Sequence, residues 1–159
     1  MLESRFIELV EESEWISPMV IQEKKIVGEI GICIDLRKLN DACLHDPFPT
    51  PFTDEVLENV GGQEMYSFID VFSGYHQIII APEDQHKTTF MIEGGCYQYT
   101  VMPFGLKNAP TIFFRVVVAA FKEYIHEFLE VYFDDWTVFG LLKYHVGNPR
   151  MMLDRCRQY

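Results

Sequence analysis

Zinc-type cysteine spacing, long apolar runs and surplus positive charge are all missing from this chain, and each absence removes a class of function. Its four cysteines, Cys33, Cys43, Cys96 and Cys156, lie far apart, with no C-x-x-C pair and no histidine at zinc-finger distance. That spacing argues against a structural zinc site, and reduced, partly buried thiols are expected instead. No apolar stretch reaches the roughly eighteen residues of a membrane-spanning helix. The opening Met1-Leu-Glu-Ser-Arg5 also lacks the charged-then-apolar pattern of a secretion signal. The expected location is intracellular, cytoplasmic or nuclear, with no membrane partner. Lys and Arg number 13 against 24 Asp and Glu, a formal net charge of −11. Such a balance argues against a general nucleic-acid binder, since affinity for a phosphate backbone comes largely from basic side chains displacing counterions. Nucleic acid fits only if basic groups supplied elsewhere, together with bound Mg2+, offset the acidic field.

What is present is the composition of a globular domain: 159 residues, 48% apolar and 14% aromatic, with no internal repeat and no linker. One folded unit, or part of one, is expected. Leu2, Phe6, Leu9 and Val10 recur at helical spacing and predict a short amphipathic helix between Met1 and Trp15. Met19–Ile21 and Ile30–Leu36 read as strands of a hairpin with a basic tip, Lys24-Lys25-Ile-Val-Gly28. The prolines of Asp46–Pro51 exclude a helix there. Thr53 is expected to cap a helix running to Asn59 and ended by Gly61-Gly62. Met65–Val71 reads as a buried strand with one carboxylate, Asp70, near its end. Ile78–Ile80 and Tyr97–Met102 read as further strands, with a turn or short helix at Pro82–His86. Asn108-Ala-Pro110 opens a long apolar helix through Tyr124, with proline in its tolerated first turn. Phe128–Phe133 and Trp136–Phe139 form a hairpin with Asp134-Asp135 at its tip, and a last helix covers Met151–Gln158.

Two adjacent carboxylates crowd negative charge, and at a separation of about 4 Å they repel by roughly 4 kcal/mol at an effective dielectric of about 20. A divalent cation relieves that repulsion. If the strand ending at Asp70 lies beside the hairpin, three carboxylates converge as hard oxygen ligands suited to Mg2+ or Mn2+. Such a cluster could hold two ions and support phosphoryl transfer. On its own an Asp-Asp turn is more often solvated surface. The flanking apolar segments favour the chemical reading, because a decorative turn would more often carry Gly or Asn. His76, His86, His126 and His145 share no ligand spacing and are assigned no function.

Longer motifs carry a resemblance. Tyr132-Phe-Asp-Asp135 looks like the Y-x-D-D box of reverse transcriptases. Ile34-Asp-Leu-Arg-Lys-Leu-Asn40, Ser67-Phe-Ile-Asp-Val-Phe-Ser-Gly-Tyr-His-Gln77, Ala81-Pro-Glu-Asp84 with Lys87-Thr88, and Val101-Met-Pro-Phe-Gly-Leu-Lys-Asn-Ala-Pro110 resemble, in order and spacing, the polymerase of gypsy-like LTR retrotransposons. The resemblance runs from about Ser17 onward. It implies an α+β right-hand polymerase, with fingers at about 1–44 and 78–108 and a palm at about 45–77 and 109–159, the palm an antiparallel sheet backed by helices. The implied activity is RNA-directed DNA synthesis, by two-metal nucleotidyl transfer onto a primer 3′-hydroxyl with two Mg2+ or Mn2+ ions. Asp70, Asp134 and Asp135 would then be the catalytic carboxylates and the metal ligands. Val71, Phe72, Tyr75, Phe104 and Lys25 would meet the deoxynucleoside triphosphate, and Arg37, Gly105, Lys107 and Pro110 the template. Implied partners are an RNA or DNA template with its primer, deoxynucleoside triphosphates, and the remainder of a Pol polyprotein with its thumb and RNase H. Without the resemblance, Tyr75 is equally a core aromatic, Lys24 and Lys25 are solubilising charges, and Arg37 and Lys107 are solvated cations. A glycine at 105 independently permits close backbone approach to a ligand.

Several positions depart from the pattern. Ile30 and Gly31 stand where the family usually carries Trp-Arg, whose arginine clamps the triphosphate, and either Lys24 or Lys25 matches the family's hairpin lysine. Phe114 replaces a glutamine near the template, and Gly147-Asn-Pro149 stands where relatives have helix formers. The chain also stops at Tyr159, ahead of the rest of the palm and the thumb, so negligible polymerase activity is expected of it alone. The alternative reading is a decayed, catalytically inactive retroelement-derived fragment. A different two-metal enzyme, such as a nuclease, would leave the motif series unexplained.

Overall fold

The computed structural model describes residues 5–23 and 30–159. In chain order its elements are β1 (Ile7–Val10), β2 (Met19–Glu23), β3 (Ile30–Ile34), α1 (Arg37–Ala42), α2 (Thr53–Val60), β4 (Met65–Asp70), α3 (Pro82–Gln85), β5 (Phe90–Ile92), β6 (Gly95–Tyr99), α4 (Ala109–Phe121), β7 (Leu129–Tyr132), β8 (Asp135–Gly140) and α5 (Gly147–Cys156). The architecture is α+β with antiparallel sheets. Two compact units emerge, Met1–His45 with Tyr75–Ala109, and Asp46–Gly74 with Pro110–Tyr159. Among the described residues no helix is long and apolar enough to cross a membrane.

In the first unit the segment expected as a helix at the N-terminus is instead strand β1, paired antiparallel with β6 from Ile7↔Tyr99 to Val10↔Cys96. A helix that short is marginal on its own, whereas the strand gains ladder hydrogen bonds and buries Ile7. Strand β5, which the sequence reading missed, joins β6 through the two-residue turn Glu93-Gly94, where Gly94 has φ 104°. Phe90 and Tyr99 pack at 5.1 Å between centroids and, with Ile7, make the core of this unit, flanked by Ile34, Ile80, Ile92 and Tyr97. Ile78–Ile80 is not a strand: Ile79 makes only an isolated bridge to Val101, because a 3-10 turn at Gly74–Gln77 and the helix at Pro82 leave it no room to extend. The third expected strand is shorter than Tyr97–Met102 at its far end and starts earlier, at Gly95. Strands β2 and β3 form the expected hairpin, in register from Met19↔Ile34 to Glu23↔Ile30. Its tip, with Lys24, Lys25 and Gly28, lies outside the described residues. Helix α1 follows directly and is anchored by Leu36 and Leu39, 2% and 6% exposed.

The second unit is built on a sheet of order β4-β8-β7. Leu129, Val131, Trp136 and Val138 fill one of its faces, and Phe121 of α4 meets Trp136 edge-on at 4.9 Å. Each such buried aliphatic side chain contributes about 1.5–3 kcal/mol. Strand β4 is not the buried strand expected: it lies at the edge of this sheet, and Phe68 is 81% exposed. Helix α2 packs against β7, with Phe52 rather than Thr53 at its N-cap and no side-chain cap. Asp54 and Glu55 in its first turn complement the helix dipole instead. Helix α4 ends at Phe121, earlier than the Tyr124 expected. Helix α5 begins at Gly147, so Pro149 falls in the first turn, where a missing N–H costs little. The proline-rich segment is extended, tied to α4 by the Arg115–Asp46 ion pair and by Phe48 against Phe114. Across both units the four cysteines are free; Cys33 and Cys156 are exposed rather than partly buried.

Candidate active site

The edge strand β4 ends at Asp70, and the antiparallel register sets Asp70 opposite Asp135, the first residue of β8. Directly opposed residues point to the same face with Cβ atoms about 4.5–5.5 Å apart. The ladder continues one step further, since the N–H of Val71 donates to the carbonyl of Asp134 at 3.0 Å. Backbone hydrogen bonds alone therefore bring all three carboxylate-bearing residues to one end of the sheet.

The tip of the hairpin differs from the expectation. Tyr132 pairs with Asp135, so the two turn residues are Phe133 and Asp134, and Asp135 already belongs to a strand. Phe133 has φ 53°, as the first central residue of a type II′ turn must, at a position that glycine ordinarily fills. An aromatic residue there costs of order 1–3 kcal/mol. Its surroundings hold it: Trp136 Nε1 donates to the Phe133 carbonyl at 3.3 Å, and the Phe133 ring contacts Tyr132 at 5.1 Å and Phe114 at 6.4 Å between centroids. On this turn the Asp134 Oδ1 is shielded from solvent, while Asp70 and Asp135 are exposed. As oxygen donors the three suit a hard divalent cation. Among the described residues no three acidic, His or Cys side chains are already converged as a cation-holding cluster. The shared end of the sheet comes from backbone register.

Past Asp70 the chain runs through half-buried Val71 and through Phe72, 89% exposed, to Gly74. A Cβ on Gly74 would lie 2.7 Å from Cζ of the buried Phe113, so only glycine lets this segment pass α4. Sequence reasoning had not singled out Gly74. Pro110 is half-buried in the first turn of α4.

In the first unit, Tyr75 is buried and meets Phe104 edge-on at 4.9 Å, while His76 approaches the same ring at 5.9 Å. Phe104 itself is 59% exposed. Gly105 next to it has φ 96°, which a side chain would resist. Lys107 is exposed, and Lys25 lies outside the described residues. Arg37 is also exposed but not a free charge: its Nε donates to both oxygens of Asp35, at 2.9 and 3.1 Å. These side-chain hydrogen bonds, with the Arg37 backbone N–H, hold the Asp35 carboxyl down to about 2 from an ordinary 3.8. Asn40, another residue not singled out from sequence, bonds the backbone on both sides of Leu106. Its presence in the Ile34–Asn40 motif was the available signal.

The model of the family described as reverse transcriptase (RNA-dependent DNA polymerase) matches residues 23–159. The retrovirus-related Pol polyprotein from transposon gypsy of Drosophila melanogaster is 37% identical over 133 residues, which cover 80% of this chain and 13% of that protein. The enzymatic polyprotein of cauliflower mosaic virus is 32% identical over 139 residues, 87% of this chain and 20% of the polyprotein. The native prototype foamy virus protease-reverse transcriptase superposes with a TM-score of 0.86 at 23% identity, covering 99% of this chain and 21% of that one. The foamy viral enzyme in complex with RNA/DNA hybrid gives 0.85 at 22% identity, covering 97% and 20%. The fold is thus the fingers and palm of a reverse transcriptase, and the chain spans about an eighth of the length of the transposon polyproteins it matches, 12–14%.

Proposed function

The chain belongs to the reverse transcriptase family, and from that premise we propose that it supplies the cation-binding carboxylates of an RNA-directed DNA polymerase. The observation that carries this reading is the pairing of Asp70 with Asp135, extended by the Val71-to-Asp134 hydrogen bond. Asp70, Asp134 and Asp135 would hold two Mg2+ or Mn2+ ions, which when bound activate a primer 3′-hydroxyl and stabilise departing pyrophosphate. The chain's own contribution is to hold three carboxylates at one sheet end, two of them on neighbouring strands and one on a strained turn. Val71 and Phe72, immediately after Asp70, would run along the triphosphate. We assign the second unit to the palm and the first to the fingers. Within the first unit, Tyr75 and Phe104 would take the sugar and base of the nucleotide, with Lys25 on its phosphates. Arg37, Gly105 and Lys107, together with Pro110 in the second unit, would meet the template. A primed RNA or DNA template, deoxynucleoside triphosphates and the remainder of a Pol polyprotein are the partners this reading requires.

Titration calorimetry with Mn2+ tests the shared site. Neutralising one carboxylate, as Asp70→Asn or Asp134→Asn, is expected to weaken binding by about tenfold or more, since one unit charge near the cation is removed. Equal affinity in the wild type and both variants would refute it. Primer extension on an RNA template, with the chain set in the Pol polyprotein, then reads the chemistry, and incorporation that is the same in the wild type and Asp134→Asn would remove the catalytic role.

A further inference from the structure

We propose that Asn40 is a positioning residue for nucleotide binding, acting by clamping the loop that carries Phe104 and Gly105. The nucleotide part of this inference rests on the reading above; the clamp itself does not. Asn40 uses both ends of its side-chain amide. Its Nδ2 donates to the carbonyl of Gly105 at 2.7 Å, and its Oδ1 accepts from the N–H of Lys107 at 2.7 Å. One side chain thereby ties backbone on either side of Leu106, much as a neighbouring strand would.

The need for such a tie follows from the loop. Gly105 sits at φ 96° and, as glycine, has the most backbone freedom to lose on ordering. Asn40 can supply order because its own base is fixed: α1 is buried through Leu36 and Leu39, and the Asn40 N–H donates to the Leu36 carbonyl at 2.8 Å. Immediately beyond Lys107, Asn108 Nδ2 donates to the Leu44 carbonyl at 2.7 Å, so the stretch after Phe104 is held by side chains, not by a sheet. Just ahead of the two ties stands Phe104, gripped edge-on by Tyr75 and His76 yet 59% exposed, a ring with fixed orientation and an open side. An aromatic held this way is suited to receive the planar base and sugar of a nucleotide. Only an asparagine side chain of this length both donates and accepts here; an aspartate at 40 would keep the acceptor for Lys107 and turn a carboxylate oxygen toward the Gly105 carbonyl.

The test uses the full chain as wild type, Asn40→Ala and Asn40→Asp. Amide hydrogen exchange of the chain reads the clamp, and titration with dTTP in Mg2+, with the same variants set in the Pol polyprotein on a primed template, reads nucleotide affinity. Removing the acceptor in Asn40→Ala is expected to speed exchange of the Lys107 amide about tenfold while amides in β5 and β6 stay protected. Asn40→Asp is expected to keep Lys107 protected. Nucleotide affinity is expected to fall about tenfold in both variants, because each loses the bond to Gly105. Unchanged Lys107 exchange in Asn40→Ala overturns the clamp. Faster exchange with unchanged nucleotide affinity overturns the positioning role, leaving a purely structural bond. Failure of the wild type itself to bind the nucleotide removes the polymerase reading and the positioning role with it, while the exchange result still decides the clamp.

Discussion

Asp70 and Asp135 are direct cross-strand partners, one closing β4 and the other opening β8. Two like charges so placed weaken the sheet they stand on, and a structure that keeps them together has either a counter-charge to receive or a cost to carry.

Without a cation, then, Asp135→Asn is expected to stabilise the chain by about 0.2–1 kcal/mol, the scale of like charges directly opposed across strands. Urea unfolding in a chelating buffer and in millimolar Mg2+ checks this. The gain should shrink or reverse when Mg2+ is present, and a variant less stable than wild type in chelator would show that the carboxylates do not repel.

Phe133 at φ 53° yields a prediction of opposite sense to hydrophobicity. Asn tolerates the left-handed region and β-branched Val does not, so Phe133→Val should be less stable than Phe133→Asn by about 1 kcal/mol. Thermal or urea unfolding of the pair decides between backbone strain and apolar contact with Phe114, which would favour valine.

Gly74→Ala would drive a methyl to 2.7 Å from the Phe113 ring. A loss of about 1–3 kcal/mol is expected, the usual cost of overpacking. Because the clash is with one side chain, Phe113→Leu in the same molecule should return part of that loss. A double-mutant cycle with no coupling would place the cost elsewhere.

The Asp35 carboxyl titrates at about 2, held there by hydrogen bonds from Arg37. A depressed carboxylate favours the folded state at pH above its ordinary value and loses that contribution as pH falls from about 3.8 toward 2. Arg37 is exposed and water screens the pair, although Asp35 is half-buried, so the effect on stability is small and the titration itself is the sensitive readout. NMR of the Asp35 side chain should show its midpoint move up toward 3.8 in Arg37→Ala.

Much of the second unit is legible locally. Asn108-Ala-Pro110 opens α4 because proline suits a first helical turn, and the apolar runs on either side of Phe133 and Asp134 predict β7 and β8 within a residue or two. The turn between them was not legible to the residue. Phenylalanine is a poor guide to a left-handed position, and the Trp136 hydrogen bond to its carbonyl together with its ring contacts to Tyr132 and Phe114 sustain it there. β1 misled for a related reason: four apolar residues at helical spacing carry less energy than pairing with β6. The exposure of Phe68 was hidden too, since a continuous apolar run does not say whether a strand is central or at an edge.

By itself the sequence determined the family, because long motifs in a set order are read directly from residue identity. It also determined the local punctuation, where proline and glycine act through their own sterics. Only the tertiary structure decided that Asp70 faces Asp135, that Phe113 demands glycine at 74, and that the Asn40 amide reaches a loop 65 residues away. Those relationships arise from pairing and packing between residues distant along the chain, and local pattern carries no information about which distant partner completes them.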